Sequence, residues 1–312
     1  MRAFAQLHAH AEGLTEVFEH AQRRAVEQGE PVLASYSMRI APLDLLALFG
    51  SVDQPGAECL FWRAPEDDKI LFGWGVAAEL SSAGPQRFAS VDAQWRHWLQ
   101  SAVIHGPLAP SVCGGFRFDH QVKASPAWQG FGDASLWLMT LLLVRDGADC
   151  WLVCQQRVAP SDAARCCCEH VLKEWNTLMD RYVSGAPPTA ARQHTRDQSL
   201  PRACWESKVA HALDVLRDTA LNKVVLAREV VSEFSRPISA GRTLAALAIN
   251  DPTAYLFAFR RHHACFIGAS PERLVKLHNG HLQTLALAGT ARRDPCPEQD
   301  AQLAQTLLGC QK

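Results

Sequence analysis

Two hairpin signals, set among helical stretches, limit the fold more than any other feature of the chain. Cys59-Leu-Phe-Trp62 and Ile70-Leu-Phe-Gly-Trp74 flank the polar turn Ala64-Pro-Glu-Asp-Asp68, and Leu138 to Val144 with Trp151 to Val153 flank Asp146-Gly147. Two apolar runs joined by a Gly, Pro or Asp turn form antiparallel neighbours. Between and around them the period changes from two to nearly four. Phe4, Leu7, Ala11, Leu14, Val17, Phe18 and Ala21 predict an N-terminal helix that Gly29 and Pro31 end. Ala93 to Val103 reads as a second helix, and Val112-Cys-Gly-Gly-Phe-Arg-Phe118 as a strand with a glycine break. Ser161 can cap a helix carrying Val171, Leu172, Trp175, Leu178, Met179 and Tyr182 on one face. Helices interleaved with hairpins, without a repeating strand-helix-strand order, predict an α+β fold of layered antiparallel β-sheets flanked by helices.

The stretch from Gly185-Ala-Pro-Pro188 to Ser199-Leu-Pro201 is polar, contains proline and has no apolar period. It divides the chain into an N-terminal α+β region (1–184), a linker (185–204) and a C-terminal region (205–312). Beyond it, Trp205, Val209, Ala212, Leu213, Leu216 and Ala220 mark an amphipathic helix. A strand from Lys223, a helix from Ser239 to Ile249, strands around Tyr255 to Arg260 and Ala264 to Gly268, and a strand around Leu282 to Leu287 follow.

Composition excludes several partners. With 48% hydrophobic and 20% charged residues, the 312-residue chain can bury a sizeable core, and its net charge of -1 offers no basic excess for nucleic acid. The apolar run Trp137 to Val144 is far below the roughly 20 residues needed to cross a bilayer, and Met1 to Gly13 lacks the apolar centre of a signal peptide, so a cytoplasmic protein with a small-molecule substrate is expected. The eleven cysteines show no paired Cys-x-x-Cys spacing, and Cys166, Cys167 and Cys168 are consecutive in a helical pattern where they cannot converge on one ion. They read as reduced, small apolar residues. The thirteen histidines are scattered, with His262 and His263 on opposite sides of a predicted strand, and no metal ligand is assigned.

Three segments carry candidate chemistry. In Lys223-Val-Val-Leu-Ala-Arg-Glu229 the pleat places Lys223, Val225 and Ala227 on one face, where an ammonium among small apolar neighbours loses solvation and becomes more readily deprotonated. Such a lysine serves as a general base, whereas a strand-end lysine reaching water does not. In Gly268-Ala-Ser-Pro-Glu-Arg-Leu274, Ser270 as cap, Pro271 and Glu272 make an ordinary helix start; in an apolar pocket the same Glu272 would be a proton donor. In Leu285-Ala-Leu-Ala-Gly-Thr-Ala-Arg-Arg293, Ala288, Gly289 and Thr290 can end a strand, or offer a close-approach backbone and a hydroxyl to a ligand carboxylate.

In their order and separation these segments resemble the chorismate-utilising enzymes, the anthranilate synthase component I-like family, throughout residues 205–312, and Phe72-Gly-Trp-Gly75 and Gly114-Gly-Phe-Arg-Phe-Asp119 resemble its N-terminal half. Within the family the likeness points to the isochorismate synthases. The resemblance implies that Lys223 activates water for attack on the ring carbon beside the carboxylate-bearing one, that Glu272 protonates the departing ring hydroxyl, and that Ala288, Gly289 and Thr290 contact chorismate. It also implies Mg²⁺ as cofactor. Lys223 stands where anthranilate synthases lack a water-activating lysine, and Ala288 stands where aminodeoxychorismate synthases carry a lysine nucleophile. Salicylate synthases, which share both catalytic residues and then eliminate pyruvate, are the alternative; their Gly-Tyr-Ser-Pro-Glu differs from Gly268-Ala-Ser-Pro-Glu272.

The family continues beyond the position of Gln311-Lys312 with its metal-binding glutamates and further strands. The resemblance therefore implies a fold and a catalytic region incomplete at the C-terminus. The 312-residue polypeptide alone is expected to be inactive, and a complementing C-terminal polypeptide is a possible partner of a non-catalytic fragment.

Overall fold

A computed structural model describes residues 2–122, 125–185, 194–221, 223–284 and 290–309. The N-terminal apolar spacing forms α1 (Arg2–Ala9) and α2 (Ala11–Gln28), and Gly29, left-handed at φ 73°, closes α2 by donating its amide to the Ala25 carbonyl. There follow β1 (Val32–Ile40), α3 (Leu45–Ser51), β2 (Cys59–Ala64), β3 (Lys69–Ser82), α4 (Arg87–Gln100), β4 (Val103–His105) and β5 (Val112–Phe116). The long hairpin β6 (Ala134–Asp146) and β7 (Asp149–Val158) leads into α5 (Ala164–Ser184). After it come β8 (His194–Ser199), α6 (Arg202–Asp218), β9 (Val230–Phe234), α7 (Ala240–Asn250), β10 (Tyr255–Arg261), β11 (Ala264–Ser270), β12 (Lys276–His278), β13 (His281–Gln283) and α8 (Pro297–Leu308).

Nine strands form one sheet in the order β11-β10-β2-β3-β6-β7-β1-β4, with β5 pairing β6 beside this path. Both predicted hairpins are present in antiparallel register, Phe61 opposite Phe72 and Leu143 opposite Leu152. The sheet departs from a purely antiparallel one at β1 and β4, which run parallel. Phe257 of β10 pairs with Trp62 of β2, so residues from both sides of the 185–204 stretch lie in the same sheet.

One face of the sheet is covered by α2, α3, α5 and α7 over Phe18, Phe49, Phe61, Phe72, Trp175 and their neighbours. A second cluster, Leu60, Trp137, Met139, Leu142, Val144 and Val153, is buried separately, and Leu80, Val91 and Ala134 form a third beneath α4. Burying a Trp, Phe or Leu side chain contributes about 1.5–3 kcal/mol each, so the helix-covered cluster dominates the folding free energy.

Several local expectations are corrected. Helix α5 starts at Ala164 with Ala163 at its cap; Ser161 precedes it in a turn that Asp162 closes by accepting from the Ala159 amide at 2.8 Å. His262 and His263 form the turn between β10 and β11, with His262 at φ 53°, and do not occupy a strand. The strand predicted from Lys223 begins only at Val230, where β9 pairs with β8, so Ser199 and its neighbours in the polar stretch are themselves strand. Residues 223–229 have the β-branched apolar run of a strand but find no ladder partner among the described residues, and they are exposed. The apolar stripe of α6 likewise has no buried residue among those described.

Candidate active site

The segment around Glu272 leaves the sheet where β11 ends. Gly268 lies opposite Phe257, and a Cβ there would come within 2.5 Å of the Phe257 ring, so only glycine leaves the ring its place over the strand. Two residues on, the Ser270 hydroxyl accepts from the Glu272 amide at 3.3 Å and donates to the Glu272 carbonyl at 3.0 Å. This closes a hydroxyl turn where the sequence predicted a helix cap. No helix follows; Lys276–His278 is strand β12 instead. The Glu272 side chain is exposed. Among the described residues no apolar pocket surrounds it.

The residues after Glu272 are held by the distant β2–β3 turn. Arg273 pairs with Glu66 and donates to the Tyr255 hydroxyl at 3.3 Å, while Lys276 reaches both carboxylate oxygens of Asp67 at 2.5 and 2.6 Å. The Lys276 hydrogen bond holds the Asp67 carboxyl below the usual carboxylate range.

Lys223 is exposed, and no hydrogen bond or ion pair joins it to Glu272 among the described residues. Among the described residues nothing pairs with 223–229, so Lys223 has the surroundings of a lysine that reaches water rather than those of a desolvated one. Its segment is tied back to α6 by Arg228, whose guanidinium lies 5.8 Å from the Trp205 ring centre. Thr290 is exposed, and Ala288 and Gly289 lie outside the described residues. Farther along that motif, Arg293 chelates Asp300 at 2.8 and 3.0 Å, which fixes the start of α8.

Of two sizeable cavities among the described residues, neither is lined by Lys223, Glu272 or Thr290. One, of about 1010 Å³, lies between α3, α7 and β11 and reaches Asp53, Arg260, His263 and Cys265. The other, of about 680 Å³, is walled by Phe116, Phe118, Trp128, Trp137, Phe259 and Phe266. The Gly114-Gly115 pair serves the second. A Cβ on Gly114 would stand 1.9 Å from the Ser135 carbonyl oxygen, and buried Arg87 donates to the carbonyls of Arg117 at 3.0 Å and Phe118 at 3.1 Å, fixing the loop that follows.

Three charged groups with structural roles escaped the sequence reading. Asp53 pairs with Arg260 and accepts from the Ser239 hydroxyl at 2.7 Å and the Gly241 amide at 2.9 Å, so it holds the N-terminus of α7. Glu79 receives Arg261 in a two-point pair at 2.8 and 2.7 Å, and Glu174 accepts the Trp74 indole proton at 2.7 Å. The only sequence signal for any of them is the Ser239 cap, since their partners lie 56 to 207 residues away. Among the described residues no three His, Cys, Asp or Glu side chains gather as a metal site, and no helix is long and apolar enough to cross a membrane.

The chain is similar to known proteins over nearly all its length. It is 39% identical over 315 residues to the salicylate biosynthesis isochorismate synthase of Pseudomonas aeruginosa, spanning 100% of this chain and 65% of that protein. It is 28% identical over 308 residues to the isochorismate synthase MenF of Bacillus subtilis, spanning 94% of this chain and 64% of that protein. The solved structure of MenF, the menaquinone-specific isochorismate synthase from Escherichia coli, shares its fold with a TM-score of 0.64 at 22% identity, over 95% of this chain and 64% of that one. The family profile of the chorismate binding enzymes matches residues 19–312, and the chain belongs to that family.

Proposed function

We propose that the whole protein converts chorismate to isochorismate. Lys223 takes a proton from water as the oxygen attacks the ring carbon beside the carboxylate-bearing one, the ring double bonds shift, and Glu272 gives a proton to the hydroxyl that leaves as water. One water enters and one departs, so the reaction is an isomerisation. Ala288, Gly289 and Thr290 contact the substrate. The observation that carries this reading is the family match over 19–312, joined to the order of the three motifs within it. The 39% identity to a protein named for isochorismate synthesis favours this branch over the sister activities.

The reading makes a structural demand. A lysine and a glutamate serve as base and acid at one pH only if their surroundings push their pKa values toward each other's ordinary range, the lysine down and the carboxyl up. Lys223 and Glu272 are exposed in the conformation described, so residues 223–229 must become a paired strand that withdraws Lys223 from water and faces Glu272 across the ring. Mg²⁺ dependence belongs to the same proposal. The described residues do not form a site that fits the ion, and no step is assigned to it.

The test is product identification from chorismate and Mg²⁺ with the whole protein, separating isochorismate, salicylate and anthranilate. Isochorismate is expected, with Lys223→Gln and Glu272→Gln each lowering turnover by about 10²-fold or more at unchanged circular dichroism. Near-normal turnover in either variant overturns the assigned roles. Accumulation of salicylate by the purified protein would assign pyruvate elimination to it as well.

A further inference from the structure

We propose that the β2–β3 turn is a positioning device for Glu272: Glu66 and Asp67, acting through Arg273 and Lys276, set where that carboxyl stands. The inference rests on the reading of Glu272 as the proton donor.

The Glu272 side chain makes no hydrogen bond among the described residues, so its place is decided by its backbone. That backbone is fixed on one side by the Ser270 hydroxyl turn and on the other by Arg273 and Lys276. Sheet register brings the clamp together. Tyr255 pairs with Ser270, the neighbouring Leu256 pairs with Arg63, and the turn of Pro65–Asp67 leaves β2 at this same end of the sheet. The Arg273 side chain is only 14% exposed and bonds a carboxylate and a phenol at once, unlike a solvated surface pair that would contribute little. The two ion pairs sit one and four positions after Glu272 and reach back more than 200 residues, so a shift of the turn moves the segment that carries the carboxyl. A displacement of about 1 Å in a reacting group costs on the order of 10²-fold in rate, which gives such a clamp catalytic weight without contact with substrate.

The double variant Glu66→Gln/Asp67→Asn removes both charges from the turn. Two readouts are needed: amide hydrogen exchange of residues 271–277, and kcat against KM for chorismate with the whole protein. Exchange in that segment is expected to rise about tenfold, with a kcat loss of about tenfold to 10²-fold and KM within about threefold. The conservative Glu66→Asp variant keeps the charge and should hold kcat within about threefold of wild type. Unchanged exchange, unchanged kcat, or a loss confined to KM overturns the proposal. If the wild-type protein makes no isochorismate, the role of Glu272 falls and the positioning role falls with it, while hydrogen exchange still decides whether the turn holds the segment.

Discussion

Replacing Asp53 with asparagine measures how much the docking of α7, β10 and β11 depends on one charge. The Asp53 side chain is 2% exposed and that of its partner Arg260 is 7% exposed. Arg260 is flanked in the sheet by Cys59 and Cys265, whose uncharged thiols offer no compensation. At an effective dielectric of about 20, unit charges about 4 Å apart attract by about 4 kcal/mol, and removing one member of a buried pair costs about 3–5 kcal/mol. The asparagine carbonyl can still accept from Ser239 and Gly241, so the capping contribution of about 1 kcal/mol survives. The expected loss is therefore about 3–4 kcal/mol, nearly all from the stranded guanidinium. Urea unfolding followed by tryptophan fluorescence reads it as a lower midpoint at constant slope. Adding Arg260→Met to Asp53→Asn should restore at least half of the loss, because no charge then remains buried. A single variant within about 1 kcal/mol of wild type, or a double variant less stable than the single, refutes the reasoning.

Gly241→Ala should destabilise by about 1–3 kcal/mol, because its Cβ would stand 2.7 Å from the Gly50 Cα and force α3 and α7 apart; an unchanged thermal midpoint would deny that close approach. Burial pushes the Glu79 carboxyl up, but hydrogen bonds from Arg261, Ser135 and Trp137 and the Arg261 charge outweigh it and hold the group below its ordinary 4.5. The stability gap between wild type and Glu79→Gln should therefore be full above that pH and close as pH falls through the lowered pKa; urea titrations at stepped acid pH check it. Burial pushes the Cys113 thiol up to about 11 and those of Cys59 and Cys154 higher still, so a thiol reagent should label exposed Cys166 and Cys204 first, half-buried Cys113 more slowly, and buried Cys59 and Cys154 only on unfolding. Mass spectrometry of the labelled peptides over time distinguishes these groups.

The features read correctly from sequence are those whose cause is local. The turn at Ala64 to Asp68 and the Asp146-Gly147 turn each carry their own chemistry, so β2–β3 and β6–β7 follow from neighbouring residues. Ser239 caps α7 through its own hydroxyl, accepting from the Arg242 amide. Ser270-Pro271-Glu272 shows the limit of such reasoning, since serine serves a helix cap and a hydroxyl turn equally, and Leu274 and Val275 lead into strand β12 rather than another turn of helix. Lys223 to Glu229 fails differently. Its apolar run Val224 to Ala227 is real, but a strand exists only where another strand completes its hydrogen bonds. The parallel β1–β4 pairing, the β10–β2 pairing and the Arg273–Glu66 contact leave no mark in sequence, because they join residues tens to hundreds of positions apart. Family membership was legible through whole motifs, whose order says more than any one residue in them.

The place of β10 beside β2 has a consequence for the nascent polypeptide. Ala64 and Tyr255 stand roughly 190 residues apart along the chain, which at roughly 5–20 residues per second is on the order of 10–40 s of translation. Throughout that interval Cys59-Leu-Phe-Trp62 has its hairpin neighbour on one side and bare amides and carbonyls on the other. Shielding that rim until Tyr255–Arg261 emerges from the ribosome is a task for chaperones, and slowing elongation between the two should raise the aggregated fraction.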